Sequence, residues 1–236
     1  MATITATITE PGLVRLMTWL SPGFPVGGYA FSHGIEFAVE QGLVANVDDL
    51  AIWIESSLCQ GTGRVDGQLF AIAWSAVEKG DDNLLAWAVE RADAMRGSAE
   101  LALESTAQGE AFLRIVRDAW SDPRLDRWVD ELAALGRSPS YPIAVSVASA
   151  SFGIPVRPAL TAFYQAFAAN LISAGVRLVP LGQTEGQQAL ARLVPKIEAA
   201  VETALNAQVE NLGAAVPVID WASMSHETQH TRLFRS

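Results

Sequence analysis

The sequence holds a single cysteine, Cys59, in 236 residues. A lone thiol excludes an internal disulfide framework and any cysteine-rich zinc site, and it suits a reducing cytoplasm. Cys59 itself reads as a small buried helix residue. Positive charge is scarce too, with 16 Lys and Arg against 26 Asp and Glu and a formal net charge of −10. Without a basic cluster this balance repels phosphate backbones and anionic bilayers, so neither nucleic acid nor a membrane is an expected partner. The opening MATITATITE lacks the basic start and apolar core of an export signal and reads as a disordered tail over residues 1–10. An uninterrupted apolar run of spanning length is also missing. Arg157 is the only charge between Arg137 and Arg177, but Pro142, Pro155 and Pro158 cut that span. Its serines, Gln165 and Asn170 need polar partners, whereas a membrane helix wants about 20 consecutive apolar residues. Two helices buried among others is the expectation. Alternating strand patterns bounded by hairpin turns are absent, alanine is too frequent for a sheet protein, and no internal repeat is visible.

What the chain does have is helical spacing. Val47, Leu50, Ile54 and Leu58 follow Asn46 as a cap, with Asp48 and Asp49 in the first turn, where they satisfy free amides and suit the helix dipole. Leu125, Trp128, Val129, Leu132 and Leu135 recur between a start at Asp122-Pro123 and a stop at Gly136. Leu160, Phe163, Tyr164, Phe167 and Leu171 form a bulky stripe, and Ala162, Ala166 and Ala169 let a neighbouring helix come close. Thr184 and Gln187 read as a capping box opening a long helix with Leu190, Leu193, Val194, Ile197, Val201 and Leu205 on one side, kinked at Pro195. The expected fold is an all-α, single-domain bundle of about eight to ten helices, with the body in residues 11–212 and a flexible C-terminal tail over 213–236. With 50% hydrophobic residues the chain can bury a substantial core.

Three stretches invite a chemical reading. SPGFPVGGYAFSHGIE, Ser21 to Glu36, holds two prolines and four glycines and specifies something other than regular structure. Its Ser32, His33 and Glu36 resemble a hydrolytic triad in composition alone: neighbours at a helix start diverge, and no Gly-x-Ser-x-Gly elbow exposes the serine. Ser32 reads instead as the N-cap of a helix beginning near His33. HETQH, His226 to His230, matches the H-E-x-x-H spacing that puts two zinc ligands on one helix face, and a zinc metalloprotease built on it is the alternative function. A catalytic zinc needs a third protein ligand, normally downstream, and the residues after His230 offer none. QGTGRVDG, Gln60 to Gly67, lacks the Gly-Lys-Ser/Thr of a phosphate loop and reads as a helix-to-helix turn. No catalytic residue, metal site or cofactor is therefore expected.

LSPGFPVGGYAFSHGIE closely resembles the signature of the urease accessory protein UreF family. Three later segments match the same family in the same order: GRSPSYPIAVSVASASFGIP, AANLISAGVRLVPLGQTEGQ and SMSHETQHTRLFRS. The likeness spans nearly the whole chain. Gly27-Gly28 and Tyr29-Ala30 are a permissive version of the loop, and His230 is an embellishment of the tail. The resemblance implies an all-helical, non-catalytic, cytoplasmic protein that helps insert nickel into urease. It implies binding to the accessory partner UreD, also called UreH, dimerisation, recruitment of the GTPase UreG, and contact with the urease apoprotein through that complex. Pro22, Phe24, Pro25, Gly28, Ser32, His33, Gly34 and Glu36 would then shape a rigid recognition surface. Arg177, Leu178, Gly182, Gln183 and Gln187 would form a second surface at a helix joint. Met224, His226, Glu227, Arg232, Leu233 and Phe234 would form a tail that is mobile until bound, with Leu233 and Phe234 as apolar anchors and Arg232 as a charged contact.

Overall fold

A computed structural model describes residues 7–236. Thr9 Oγ1 accepts the Gly12 amide at 3.2 Å, so α1 (Glu10–Trp19) begins inside the stretch expected to be a tail; residues 1–6 of that stretch lie outside the described ones. Asn46 Oδ1 takes the amides of Asp48 and Asp49 at 2.9 and 3.0 Å and opens α3 (Val47–Cys59), as its sequence signals predict. Asp122 does the same for α7 (Pro123–Ala134), which stops at Gly136 with φ +66°. The remaining helices are α2 (Ile35–Glu40), α4 (Thr62–Lys79), α5 (Asp82–Ala94), α6 (Ala99–Ala119), α8 (Tyr141–Ser151), α9 (Val156–Leu178), α10 (Gln183–Leu205) and α11 (Pro217–His226). No strand occurs among the described residues. The expected capping box of α10 shifts by two residues: Gly182 caps it, and Glu185 Oε2 accepts the Gly182 amide at 2.8 Å.

Packing is organised around α8, in which every residue from Pro142 to Ser151 is buried. It lies against α4, α6 and α9, while α10 covers α9, α3 and α4. Of the α8 serines, Ser146 Oγ donates to the Phe70 carbonyl at 2.7 Å and is satisfied by a neighbouring helix, while the buried Ser149 hydroxyl is left without a partner among the described residues. On α9 the stripe Leu160, Phe163, Tyr164 and Leu171 is buried as its spacing requires. Gly67 makes room for it, since a Cβ there would sit 1.7 Å from Tyr164 Oη. Among the described helices α9 alone has the length and composition to cross a membrane, yet it is packed on several sides by α3, α4, α8 and α10. That is the buried helix the sequence argument predicts.

The C-terminal segment differs from expectation. Residues 217–226 form α11, a helix the sequence reading did not contain, and it packs on α2 and α6. Phe234 and Ser236 are buried too. The expectation of a tail mobile until bound weighed apolar area only; what holds these residues down is a set of polar partners on α2 and α6.

Candidate functional site

The Ser21–Glu36 stretch divides into an outward turn and an inward strap. Phe24 points into the core, its ring centroid 5.6 Å from that of Phe112, and this pins the turn. Gly27, at φ +78°, reverses the chain into a short 3-10 turn over Gly28–Ala30. Pro22, Pro25 and Tyr29 are thereby presented to solvent, Tyr29 with 70% of its surface exposed. The Tyr29 carbonyl accepts Arg177 Nη2 at 2.8 Å, so the end of α9 holds the apex of the turn.

Beyond Phe31 the chain turns inward. His33 has φ +52°, a left-handed backbone that side chains rarely adopt. Gly34 follows at φ +75°, and a Cβ there would lie 2.9 Å from the Ser223 amide nitrogen, so α11 can approach only a glycine. Helix α2 consequently starts at Ile35, two residues later than the expected start near His33. Ser32 still caps it loosely, accepting the Glu36 amide at 3.3 Å. Its hydroxyl donates to the Ser236 main-chain oxygen at 2.5 Å, and its amide donates to the same atom at 2.6 Å. His33 Nε2 lies 3.0 Å from Glu104 Oε1. Serine and histidine thus serve different partners, and no nucleophile–base pair forms.

Glu36, expected on a recognition surface, is buried and acts as a receptor. Its Oε1 accepts the Leu233 amide at 2.6 Å, and its Oε2 accepts the Phe234 amide at 2.9 Å and faces His226 Nε2 at 3.1 Å. Glu100 completes the enclosure of His226, with Oε2 at 2.7 Å from Nδ1, while its Oε1 takes Arg232 Nη1 at 2.5 Å. Glu104, one turn along α6, accepts the Ser236 hydroxyl at 2.9 Å. Glu227 runs the other way and accepts the Ala99 amide at 2.7 Å, supplementing the Ser98 cap of α6. Phe234 is sandwiched into this seam with the Arg177 guanidinium 4.3 Å from its ring centroid. Leu233 and Met224 remain exposed.

Under the turn, between it and α4, α6 and α9, is a cavity of about 460 Å³. Asp66 and Arg96 pair at its wall at 2.8 Å, with side chains only 8% and 6% exposed. Burial pushes the Asp66 carboxyl above its ordinary range, a shift the Arg96 charge opposes without cancelling. For His33, burial pulls the imidazolium down, but the charge and hydrogen bond of Glu104, helped by Asp66, outweigh it and leave the pKa raised.

HETQH does not form a metal face. Helix α11 ends at His226, His230 lies exposed beyond it, and both ring nitrogens of His226 are occupied by carboxylates. Of the second expected surface, Arg177 reaches the turn and the C-terminal segment and Leu178 is half-buried. Gly182, Gln183 and Gln187 sit exposed at the start of α10, and among the described residues no hydrogen bond joins the Gln183 or Gln187 side chain to the seam. Sequence reasoning missed Tyr29, Asp66, Arg96, Glu100 and Glu104. The spacing of Glu100 and Glu104, one turn apart on one helix face, was the available signal.

Residues 44–194 match the family model for UreF. The chain is 46% identical over 232 residues to the urease accessory protein UreF of Granulibacter bethesdensis, covering 98% of this chain and 97% of the relative. It is 50% identical over 224 residues to that of Rhodopseudomonas palustris strain HaA2, covering 95% and 93%. To that of Bradyrhizobium sp. strain BTAi1 it is 46% identical over 236 residues, covering 99% and 97%. The family model takes in α3 through the first half of α10, and the relatives extend the match over nearly the whole chain, turn and C-terminal segment included. The chain belongs to the UreF family of urease accessory proteins.

Proposed function

We propose that this chain acts in the cytoplasm as a non-enzymatic scaffold of urease maturation. It binds a UreD/UreH-like partner, recruits a UreG-like GTPase, and through that complex meets the urease apoprotein, so that nickel is inserted into the urease active site. It works as a homodimer and needs no cofactor of its own. The observation that carries this reading is the convergence of three separate segments, the turn, the end of α9 and the C-terminal segment, onto one continuous face. Arg177 bonds to Tyr29 and covers Phe234, and the Arg235 amide donates to the Ala30 carbonyl at 2.8 Å. Around that seam Pro22, Pro25, Tyr29, Met224 and Leu233 stay exposed, a mix of aromatic, proline and aliphatic side chains on a rigid backing that suits protein recognition. Ser32, His33, Gly34 and Glu36 serve this face from behind by fixing its shape, and Gln183 and Gln187 offer a polar rim at the start of α10.

The test is co-purification of the wild-type chain with the UreD-like and UreG-like proteins, with and without GTP, beside variants Tyr29→Ala and Met224→Glu. The expected result is a stable ternary complex that either variant weakens while each remains folded by circular dichroism. Undiminished assembly by both variants would overturn the assignment of this face.

A further inference from the structure

The turn that presents Tyr29 is also the roof of the cavity beneath it. At about 460 Å³ that cavity falls in the range of small-molecule sites, roughly 300–1,000 Å³. Its other walls come from α4, α6, α8 and α9, and rings line it: Phe24 from the turn, Tyr141 from α8, and Phe163 and Phe167 from α9. Apart from its tyrosines, the ionisable side chains in the wall stand in pairs of opposite sign. Asp66 of α4 meets Arg96 at 2.8 Å, and Glu104 of α6 meets His33 at 3.0 Å. Burial raises the Asp66 carboxyl, but a proton there would strand the Arg96 charge at a side chain 6% exposed, so the guanidinium keeps the carboxylate ionised. Glu104 raises the His33 pKa above its ordinary 6.5, so the imidazole is charged at about pH 6. Arg177 is outside the lining, taken up by the Tyr29 carbonyl and the Phe234 ring. Ser236 is outside it as well, and its hydroxyl occupies the second oxygen of Glu104. A charged guest entering this cavity leaves its hydration and meets both signs at once, so nothing compensates the loss.

The neutral polar groups are the ones left open. Gly28 stands over two amides: a Cβ there would lie 3.7 Å from Asn170 Oδ1 and 3.9 Å from Gln108 Nε2. Gln108 Nε2 donates to Glu104 at 2.9 Å, which leaves its carbonyl oxygen for a guest. The Tyr141 phenol is pushed up by burial, with neither a charge nor a hydrogen bond contributing. We propose that this cavity binds a small uncharged organic molecule, with a flat aromatic body among the rings and a carboxamide-like edge, donor beside acceptor, against Asn170 and Gln108. Bound there, the molecule touches the underside of Gly28 and steadies the turn that carries Tyr29. The site belongs to the isolated chain and does not depend on which proteins the turn recognises.

Benzamide is a minimal probe with both features, and benzoate and benzamidine share its shape with a negative and a positive charge. Each is titrated into the full chain at about pH 6, where His33 is protonated, and followed through the backbone amide signals in nuclear magnetic resonance spectra. Benzamide should saturate with a Kd of about 1 mM or tighter, reasonable for about nine heavy atoms, and should move the signals of Gly27, Gly28 and Asn170. Both ions should bind about tenfold more weakly or worse. Asn170→Leu keeps the volume and removes the amide, and should weaken benzamide by about tenfold. Ala166→Phe fills the cavity and should abolish binding. The proposal is overturned by a benzamide titration that does not saturate or that moves signals away from the lining. It is equally overturned by an ion binding as well as benzamide, or by unchanged affinity in Asn170→Leu or in folded Ala166→Phe. If Ala166→Phe does not fold, Asn170→Leu and the two ions decide.

Discussion

Helix α8 and the seam beneath α11 are both buried, and they are buried for opposite reasons. Around α8 the side chains are apolar or small, and the one deep hydroxyl with a neighbouring helix to serve, Ser146, bonds to the Phe70 carbonyl. Most of what is buried there is apolar, so dispersion and area removed from water dominate the packing. The seam holds Glu36, Glu100, Glu104, His226 and Arg232 instead, each satisfied by a named partner. Such pairs contribute little net stability, because desolvation offsets the attraction, but losing one member strands a buried charge. The core tolerates changes of shape poorly and changes of pH well. The seam should behave the other way round.

The sharpest way to break that comparison is to damage each region once. Phe70 is fully buried and packs on Phe163 at a centroid distance of 5.4 Å, so Phe70→Ala should cost about 3–5 kcal/mol and lower the melting temperature of the whole molecule in one transition. Glu36→Gln removes a charge from the buried pair with His226, nominally a loss of about 3 kcal/mol. That loss can be relieved by local opening of the segment, which caps its effect on the global melt. Trypsin should therefore cut Glu36→Gln rapidly at Arg232 and Arg235 while leaving the body intact, whereas Phe70→Ala should be degraded throughout. A Glu36→Gln protein melting as far below wild type as Phe70→Ala, with no selective cleavage, would show that the seam is part of the core after all.

A gentler probe is pH. His33 is raised above its ordinary value because Glu104 outweighs burial, so its contribution is complete below 6.5 and disappears as pH climbs through its folded value. Raising pH from about 6 to about 8.5 should then reduce the stability of the wild type measurably, and His33→Gln should lose most of that dependence. Thermal melts of the two proteins across that range make the comparison, and equal slopes would remove His33 from it.

The same contrast explains what could be read from the sequence. The caps at Asn46 and Asp122, the stop at Gly136 and the α9 stripe are local, each signal lying within a few residues of the structure it sets. The four family-like segments likewise pointed to the turn and the C-terminal segment as the places of interest. What was not legible is the pairing between them. Glu36 and His226 are 190 residues apart, and Ser32 and Ser236 are 204 apart; nothing in either stretch names the other. The segment 213–236 looked too polar to fold because its apolar content was weighed and the acceptors waiting on α2 and α6 were not. HETQH has the spacing of a metal face, which the sequence reading set aside for want of a third ligand; that spacing also assumes a helix through His230, and α11 stops at His226. Ser32 and Glu36 bond to residues 233–236 and His33 bonds to Glu104, partners that no local pattern in Ser21–Glu36 names.

The smallest expected effect on stability, and the largest on assembly, belongs to Tyr29. Its side chain is 70% exposed, so Tyr29→Ala removes little buried area and should change the unfolding free energy by no more than about 0.5 kcal/mol. The backbone beneath it is another matter. Gly27 sets the reversal and Arg177 holds the Tyr29 carbonyl at 2.8 Å, so the ring is offered to solvent on a turn that has already lost its freedom. A partner closing over it would bury an aromatic surface without having to order the loop, and that is the setting in which one truncated side chain weakens binding by about 1–3 kcal/mol, roughly tenfold to a hundredfold. Arg177→Ala should act on the same face from behind: the ring stays, its support goes, and binding falls by less than in Tyr29→Ala while the turn becomes more accessible to protease. Titration of the UreG-like and UreD-like proteins against wild type and both variants separates the cases. Loss confined to one of the two partners would assign the turn to that partner, and equal loss to both would make the turn and the C-terminal segment one shared platform. Unchanged affinity for both in Tyr29→Ala would leave the exposed ring without a role in recognition and move the site to Met224 and Leu233 on the far side of the seam.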